Sequence, residues 1–311
     1  MSAAATALRS FAGDVRDGLR KPQKEILSQY LYDELGSALF EAITLLPEYG
    51  LTRADQRLIE RLAPELPRGF RMVAELGSGG GRKTRQILEA LGKDDLQYFP
   101  IDVSSSALAH CAAELAPFAD IMPLEFSYLD GIEAAIKRRS PGDKLLVLFL
   151  GSTIGNFDPE PRERFLMAVR RLLRPGDALL IGFDLVKPRE RMFAAYDDST
   201  GVTAAFNLNL LGRINRELGA NFVQRNFVHR IRYDEAEQRI EMHLVSLEDQ
   251  CAKIPGANLT CAFRDGETIW TESSYKFLAT DIPNIASRAG FRQERCWVDR
   301  EWPFVEALWM A

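Results

Sequence analysis

The chain has 311 residues, 46% of them hydrophobic, and 39 basic against 44 acidic side chains give it a net charge of −5. That length and apolar content can bury a large core, in one elaborated domain or two. The near-balanced charge, with no long basic cluster, excludes a polyanionic partner such as nucleic acid or an acidic membrane surface. No apolar stretch approaches the roughly 20 residues of a membrane span, so a cytoplasmic protein is expected.

Residues 1–30 carry helical spacing that Pro22 interrupts. The Ala run and arginines of Met1 to Lys24 have a transit-peptide flavour, but Asp14, Asp17 and Glu25 favour an ordinary amphipathic helix. The aromatic-rich stretch Tyr30 to Tyr49 reads as a helix ending at Pro47. Phe40, Ile43 and Leu46 repeat on its core side, and Tyr32 and Tyr49 stand at its edges, where a phenol keeps a polar handle for a ligand. A third helix, Thr52 to Leu62, leads to the first strand.

From residue 71 to about 186, strands alternate with helices, which predicts a Rossmann-like, doubly wound parallel α/β sheet. Strands are expected at 71–76, 96–101, 120–124, 144–150 and 177–185, with helices near 84–92, 104–117, 130–139 and 160–173. The first strand ends in Glu75-Leu-Gly77-Ser-Gly79-Gly-Gly81, a tight turn before a helix. Such glycines take positive φ and let a ligand lie against the main chain at a helix N-terminus, although the same turn also serves plain geometry. The second strand ends in Asp102, where an acid can meet the ribose hydroxyls of a nucleotide or help start the next helix. The apolar run Lys144 to Leu150 delivers Gly151 and Asn156 to the carboxyl edge of the sheet, where open α/β sheets bind ligands. Asn156 also suits a turn before the helix that starts at Asp158-Pro159.

Past Lys187-Pro188 the alternation stops. A helix-rich piece, Glu190 to Leu218, precedes two alternating runs, Phe222 to Tyr233 and Arg239 to Leu247, that read as an antiparallel hairpin. More strand follows at 258–277, then a helix from Ile282 to Ala289 and two closing strands at 291–298 and 303–309. The four cysteines, Cys111, Cys251, Cys261 and Cys296, and the three histidines, His110, His229 and His243, make no metal pattern, so buried free thiols are expected.

The segments Tyr32-Asp-x-x-Gly36-Ser37-x-Leu-Phe40, Leu46-Pro-Glu-Tyr49, Glu75-Leu-Gly-Ser-Gly79, Phe149-Leu-Gly-Ser-Thr-Ile-Gly-Asn156 and Asp184-Leu-Val-Lys187 lie in order along the chain. Ala195-Tyr-Asp-Asp198, Phe206-Asn207 with Ile214-Asn-Arg-Glu217, Ile240-Glu-Met242 and Thr271-Glu272 with Lys276-Phe277 continue the series. Together they resemble the histidine-specific Nα-methyltransferases of ergothioneine biosynthesis, a family that also includes tryptophan-derivative methyltransferases of fungal alkaloid pathways. Two departures stand out. Phe126-Ser127-Tyr128 replaces the family's usual Gly-Asp-aromatic stretch near the adenine, and Gly50 follows Tyr49 where an aromatic is common.

The resemblance implies a class I methyltransferase core with an inserted α+β substrate-binding domain. Residues 54–186 and 276–311 would form the core, and residues 1–53 and 187–275 the substrate-binding domain. S-adenosylmethionine would be the cosubstrate, with no metal, held by Gly77, Gly79, Lys83, Asp102 and Tyr128. Tyr49, Gly151, Asn156, Tyr196, Met242, Glu272 and Ser274 would surround a small amino acid, and Tyr32 and Asn156 would be the catalytic pair that orients its amine. Tyr196 would hold the carboxylate, while Glu272 and Ser274 read the imidazole nitrogens beside Met242. The implied reaction is successive Nα-methylation of L-histidine to hercynine by a monomer; the alternative is another amine, such as a tryptophan derivative.

Overall fold

The computed structural model describes residues 3–311; Met1 and Ser2, where the expected N-terminal helix and first domain segment begin, lie outside the described residues. The chain divides into two compact units, Met1–Gly50 with Lys187–Tyr275, and Leu51–Val186 with Lys276–Ala311.

The second unit is built on one sheet in the order Arg292–Asp299, Phe304–Met310, Ala178–Asp184, Lys144–Phe149, Phe70–Leu76, Gln97–Asp102 and Asp120–Ile121. The five strands from Ala178–Asp184 to Asp120–Ile121 are parallel, while Phe304–Met310 runs antiparallel to both of its neighbours. Parallel neighbours need crossovers, and the helices Thr84–Leu91, Ser105–Leu115, Tyr128–Ile136 and Pro159–Leu172 supply them. The central strands are covered on both faces, so Met72, Val73, Ala74 and the whole run Leu145 to Phe149 are fully buried. Strand order reverses between Phe70–Leu76 and Lys144–Phe149, and the carboxyl ends of these two strands therefore make the topological switch point. The doubly wound α/β class read from the alternation is the observed one. The single strand expected at 120–124 is instead two short pieces, Asp120–Ile121 and Leu124–Glu125, because Pro123 between Met122 and Leu124 has no N–H to give to the ladder.

The helix Leu51–Leu62 belongs to the second unit whole, which sets the division at 50/51 rather than 53/54. Its buried stripe, Leu51, Ala54, Leu58, Ile59 and Leu62, packs on the two C-terminal strands, so its first turn cannot part from the rest.

In the first unit four strands pair in the order Lys24–Glu25, Thr268–Tyr275, Arg239–Ser246 and Phe227–Asp234. The hairpin closes at Asp234, whose Oδ1 accepts the N–H groups of Ala236 and Glu237 at 3.1 Å each. A separate pair, Gln250–Ile254 with Leu259–Phe263, includes a strand not expected from the sequence, since its residues show no apolar alternation. The N-terminal helix stops at Gly18, where a Cβ would stand 2.2 Å from the Glu25 carbonyl oxygen; only glycine lets the chain turn back there to form Lys24–Glu25. The helical piece after residue 188 is two helices, Arg189–Tyr196 and Val202–Leu218. Asp198 separates them, accepting from Val202 N–H at 3.1 Å and Thr203 N–H at 2.7 Å.

Candidate active site

In the second unit the glycine turn has the geometry its residues demand. Gly77, Gly79 and Gly81 take φ of +71°, +49° and +72°. At Gly81 a Cβ would also meet Leu115 Cδ1 at 2.7 Å and Cys111 Sγ at 2.8 Å, whereas over Gly79 no atom lies within 4 Å. The turn is therefore packed from below and open above. Glu75 does not face that opening. It is buried and accepts hydrogen bonds from Thr84 Oγ1 at 2.5 Å and from the Tyr98 hydroxyl, clamping the exit of the loop to the neighbouring strand. Burial pushes its pKa up to about 7, against the pull of those two donors.

Asp102 stands at the tip of Gln97–Asp102, with one carboxylate oxygen accepting from Ser104 N–H at 2.9 Å. The helix cap that follows is Ser104, whose hydroxyl accepts from Ala107 N–H at 3.3 Å, so Asp102 is spared that task. Tyr128 reaches the same turn. Its hydroxyl lies 3.2 Å from the Cβ position of Gly77, its ring packs edge-on against Phe149 and Phe165, and burial followed by the Asp102 charge pushes its pKa up to about 12. The phenol is thus a neutral donor at pH 7. Ser127, at the departure from the family pattern, donates to Asp130 at 2.6 Å. Lys83 pairs with the fully buried Asp55; burial alone would lower its pKa, and the Asp55 charge raises it instead.

The fourth strand ends at Phe149, followed by Gly151 and Ser152 with φ of +71° and +60°. A left-handed serine is unusual, and here Ser152 Oγ accepts from Asp184 N–H at 2.8 Å, which fastens the turn to the next strand. The Cβ position of Gly151 is 3.3 Å from Lys83 Nζ, so the end of this strand meets the exit of the glycine turn. Asn156 closes the short 3₁₀ turn Thr153–Asn156, half-buried and two residues ahead of the helix cap Asp158.

In the first unit Tyr32, Phe40, Tyr49, Tyr196 and Phe206 form an aromatic cluster. Phe40 stacks edge-on with Tyr32 at 5.4 Å and with Tyr49 at 6.3 Å, and Tyr49 meets Tyr196 at 6.4 Å. Phe40, expected as plain core, is half-buried and serves as the hub between phenols. The Tyr196 hydroxyl is hydrogen-bonded to Ser274 Oγ at 2.7 Å. Glu272, two residues back on the same strand and buried, stands directly opposite Met242. Tyr49, Tyr196, Ser274, Glu272 and Met242 are thereby brought together, and Tyr32 joins them through Phe40.

Three supports hold this arrangement. A β-bulge between Trp270 and Glu272 sets Glu272 against Met242, and it is fixed by Thr271 Oγ1 donating to the Met242 carbonyl at 3.0 Å and by Trp270 Nε1 donating to the Glu272 carbonyl at 2.9 Å. The Trp270 ring stacks with His243 at 5.9 Å and carries the Arg239 guanidinium over it at 4.6 Å. Behind Tyr196, His229 Nε2–H donates to the Tyr196 carbonyl at 2.8 Å while Asn207 Nδ2 donates to His229 Nδ1 at 2.9 Å. Burial lowers the His229 pKa, which keeps the ring in the neutral form this pattern requires. His229 is therefore structural, as is His243, whose Nε2 meets Glu241 at 3.0 Å.

Among the described residues no group of three or more His, Cys, Asp or Glu side chains could hold a metal ion, and no helix is long and apolar enough to cross a membrane. Cys111 and Cys261 are buried as expected, but Cys251 and Cys296 are exposed, since both sit on outward positions of short or edge strands.

The family model for the histidine-specific methyltransferase, SAM-dependent, matches residues 11–311. The chain belongs to this family. A histidine N-alpha-methyltransferase of Mycolicibacterium smegmatis is 38% identical over 302 residues, covering 96% of this chain and 94% of that one. Its counterpart in Mycobacterium tuberculosis is 40% identical over 300 residues, covering 95% and 93%. Ergothioneine biosynthesis protein 1 of Neurospora crassa is 30% identical over 286 residues, which are 88% of this chain and 32% of that longer protein.

The protein is thus an S-adenosylmethionine-dependent methyltransferase acting on a small molecule. The methyltransferase also carries residues that pattern reading passed over. Asp55 lies on the apolar stripe of an amphipathic helix, and Glu306 inside the apolar run Phe304 to Met310; an acid at an apolar position was the available signal in both cases. Asp184 is buried with Lys276 at 3.0 Å and Trp302 Nε1 at 3.2 Å, so the segments Asp184-Leu-Val-Lys187 and Lys276-Phe277 meet in the fold.

Proposed function

We propose that this methyltransferase transfers methyl groups from S-adenosylmethionine to the α-amine of L-histidine, three times in succession, giving hercynine. The observation that carries the histidine reading is the buried Glu272 carboxylate, set opposite Met242 by a bulge and followed two residues on by Ser274. A carboxylate accepts the imidazole N–H, and a hydroxyl adapts to the second ring nitrogen. A site built on such bonds rejects rings that lack the matching groups, because its polar atoms would stay unpaired. The near-full-length similarity to two proteins named histidine N-alpha-methyltransferases supports the same reading.

The residues of the second unit fit the cofactor. The turn at Gly79 is open above its backbone, the Tyr128 hydroxyl borders Gly77, and Asp102 at the strand tip keeps a carboxylate oxygen for a ribose. When bound, S-adenosylmethionine supplies a methyl group already activated on sulfur. The chain has to place a neutral amine in line with it and exclude water. Tyr196 exchanges its hydrogen bond with Ser274 for one to the substrate carboxylate, to which it donates as a neutral phenol, and this frees the Ser274 hydroxyl for the ring and avoids burying an ion pair. Asn156 accepts from the amine and turns its lone pair, and Tyr32 does so directly or through water. Each transfer turns the neutral amine into an ammonium; short of the quaternary product that ammonium still carries an N–H, and loss of this proton to water restores the lone pair for the next transfer.

Incubation with isotope-labelled S-adenosylmethionine and the twenty amino acids, read by mass spectrometry, tests the proposal. Three methyl groups on histidine are expected; transfer to tryptophan and not to histidine would overturn the substrate, and a single methyl group would overturn the succession.

A further inference from the structure

The second unit holds a group of buried ionisable side chains that the cofactor and substrate assignments leave without a role. Glu306 is fully buried on Phe304–Met310, directly opposite Gly182. Its carboxyl fills the space above that glycine, where a Cβ would stand 2.6 Å from Glu306 Oε1. Asp55, on the helix Leu51–Leu62, is also fully buried. Among the described residues, neither Glu306 oxygen nor Asp55 Oδ1 meets an N–H or O–H donor. The two carboxyl groups close on the same turn: the Cβ position of Gly182 is 2.6 Å from Glu306 Oε1 and 3.3 Å from Gly151 N, and that of Gly151 is 4.0 Å from Asp55 Oδ2.

Two carboxylates buried side by side cannot hydrogen-bond, because neither has a hydrogen to donate, and two like charges do not both survive together away from water. One proton must lie between them. The other Asp55 oxygen accepts from the Lys83 ammonium, so the carboxyl without a cation bonded to it, Glu306, is the one that carries the proton. Burial first, then the Asp55 charge, raises Glu306 well above the ordinary carboxylate range; the Lys83 charge opposes this, and Cys296 on the adjoining strand adds to it. With one proton the group carries one ammonium and one carboxylate, a balanced pair, where full ionisation would strand an unpaired negative charge. Lys83 in turn lies 3.3 Å from the Cβ position of Gly151, at the carboxyl edge of the sheet.

We propose that Glu306 is a protonated positioning residue: it donates its hydrogen to Asp55, and Asp55 thereby fixes the Lys83 ammonium between the glycine turn and Gly151. The positioning role rests on the reading that Lys83 serves the cofactor; the shared proton does not.

The test uses the full-length protein and two readouts. An infrared difference spectrum between the wild type and Glu306→Gln at neutral pH should show a protonated-carboxyl C=O band that the variant lacks; identical spectra in this region would overturn the shared proton. For S-adenosylmethionine affinity by calorimetry, Glu306→Leu is expected to weaken binding about tenfold, the scale of a lost hydrogen bond to a charged group. Glu306→Gln should restore it, since an amide N–H can replace the acid hydrogen. Asp55→Asn should match or exceed the loss in Glu306→Leu. A Glu306→Leu protein with wild-type affinity, or one that glutamine fails to rescue, would overturn the positioning role. Wild-type affinity in Lys83→Met would instead overturn the cofactor reading of Lys83 and the positioning role with it, while the infrared band would still decide the carboxyl pair.

Discussion

The support for Glu272 can be tested by taking away one hydrogen atom's worth of bonding. In Trp270→Phe a six-membered ring remains against His243 and Arg239, but the N–H that donates to the Glu272 carbonyl at 2.9 Å is lost. A neutral hydrogen bond contributes about 1 kcal/mol, and the smaller ring weakens the contact with Arg239 by roughly 0.5 kcal/mol more. If the bulge exists to aim Glu272, that sum of about 1.5 kcal/mol appears in ring recognition as a fall of about tenfold in kcat/KM for L-histidine. Thr271→Val, which removes the donor to the Met242 carbonyl from the other side of the bulge, should reproduce the effect. The assay pairs steady-state kcat/KM with calorimetric affinity for S-adenosylmethionine on the same preparation, because the cofactor residues lie in the other unit and should not respond. Lower thermal stability with an unaltered kcat/KM in both variants would refute the reasoning, leaving the bulge as a feature of the fold alone.

Removing the carboxylate itself in Glu272→Ala should cost about 2 kcal/mol in kcat/KM for histidine, and adding Met242→Val should admit an indole; methylation of tryptophan by the double variant, read by mass spectrometry, checks both. Asp102→Ala is expected to weaken S-adenosylmethionine binding by about 2 kcal/mol, and unchanged affinity by calorimetry would remove Asp102 from the cofactor site. Glu75 makes stability depend on pH. Its pKa is raised from 4.5 to about 7 in the folded protein, so the folded state holds a proton that the unfolded chain has released. Its contribution is therefore fully present below the unfolded value and lost as pH rises through the folded one, by about 3 kcal/mol between those limits. Denaturant titrations from pH 4.5 to 7.5 should show that slope flattened in Glu75→Gln. Asp198 has the opposite sign: hydrogen bonds from Thr200, Thr203 and Val202 outweigh burial and hold it well below the usual carboxylate range, so its contribution is lost as pH falls, and Asp198→Asn should remove that acid sensitivity.

Much of the fold was legible because its signals are local. An apolar run such as Leu145 to Phe149 can only be a strand covered on both faces, and glycines at 77, 79 and 81 can only be a turn with positive φ. The order of strand, turn, helix and acid then placed Asp102 at the tip of the second strand from sequence spacing alone. Position along the elements already marked Tyr32, Tyr49, Gly151 and Asn156 as candidates, whereas Tyr196, Met242, Glu272 and Ser274 came from resemblance, and periodicity by itself would have left Glu272 as a surface glutamate.

Tertiary structure decided whatever depends on who stands opposite whom. Glu75 reads from the sequence as the acid beside a ligand loop, yet Tyr98 and Thr84 turn it inward as a clamp. The pairing of Glu272 with Met242 depends on one inserted residue, Thr271, and a register shift of one residue leaves no mark in an alternating pattern. Asp55 and Glu306 are 251 positions apart and meet only because an amphipathic helix packs on the last strands of the sheet. Sequence alone determines where apolar surface must be buried, since burial scales with side-chain area wherever the side chain goes. The partner of a buried charge is set by contact and by the exclusion of water, and both of these arise only once distant elements have packed.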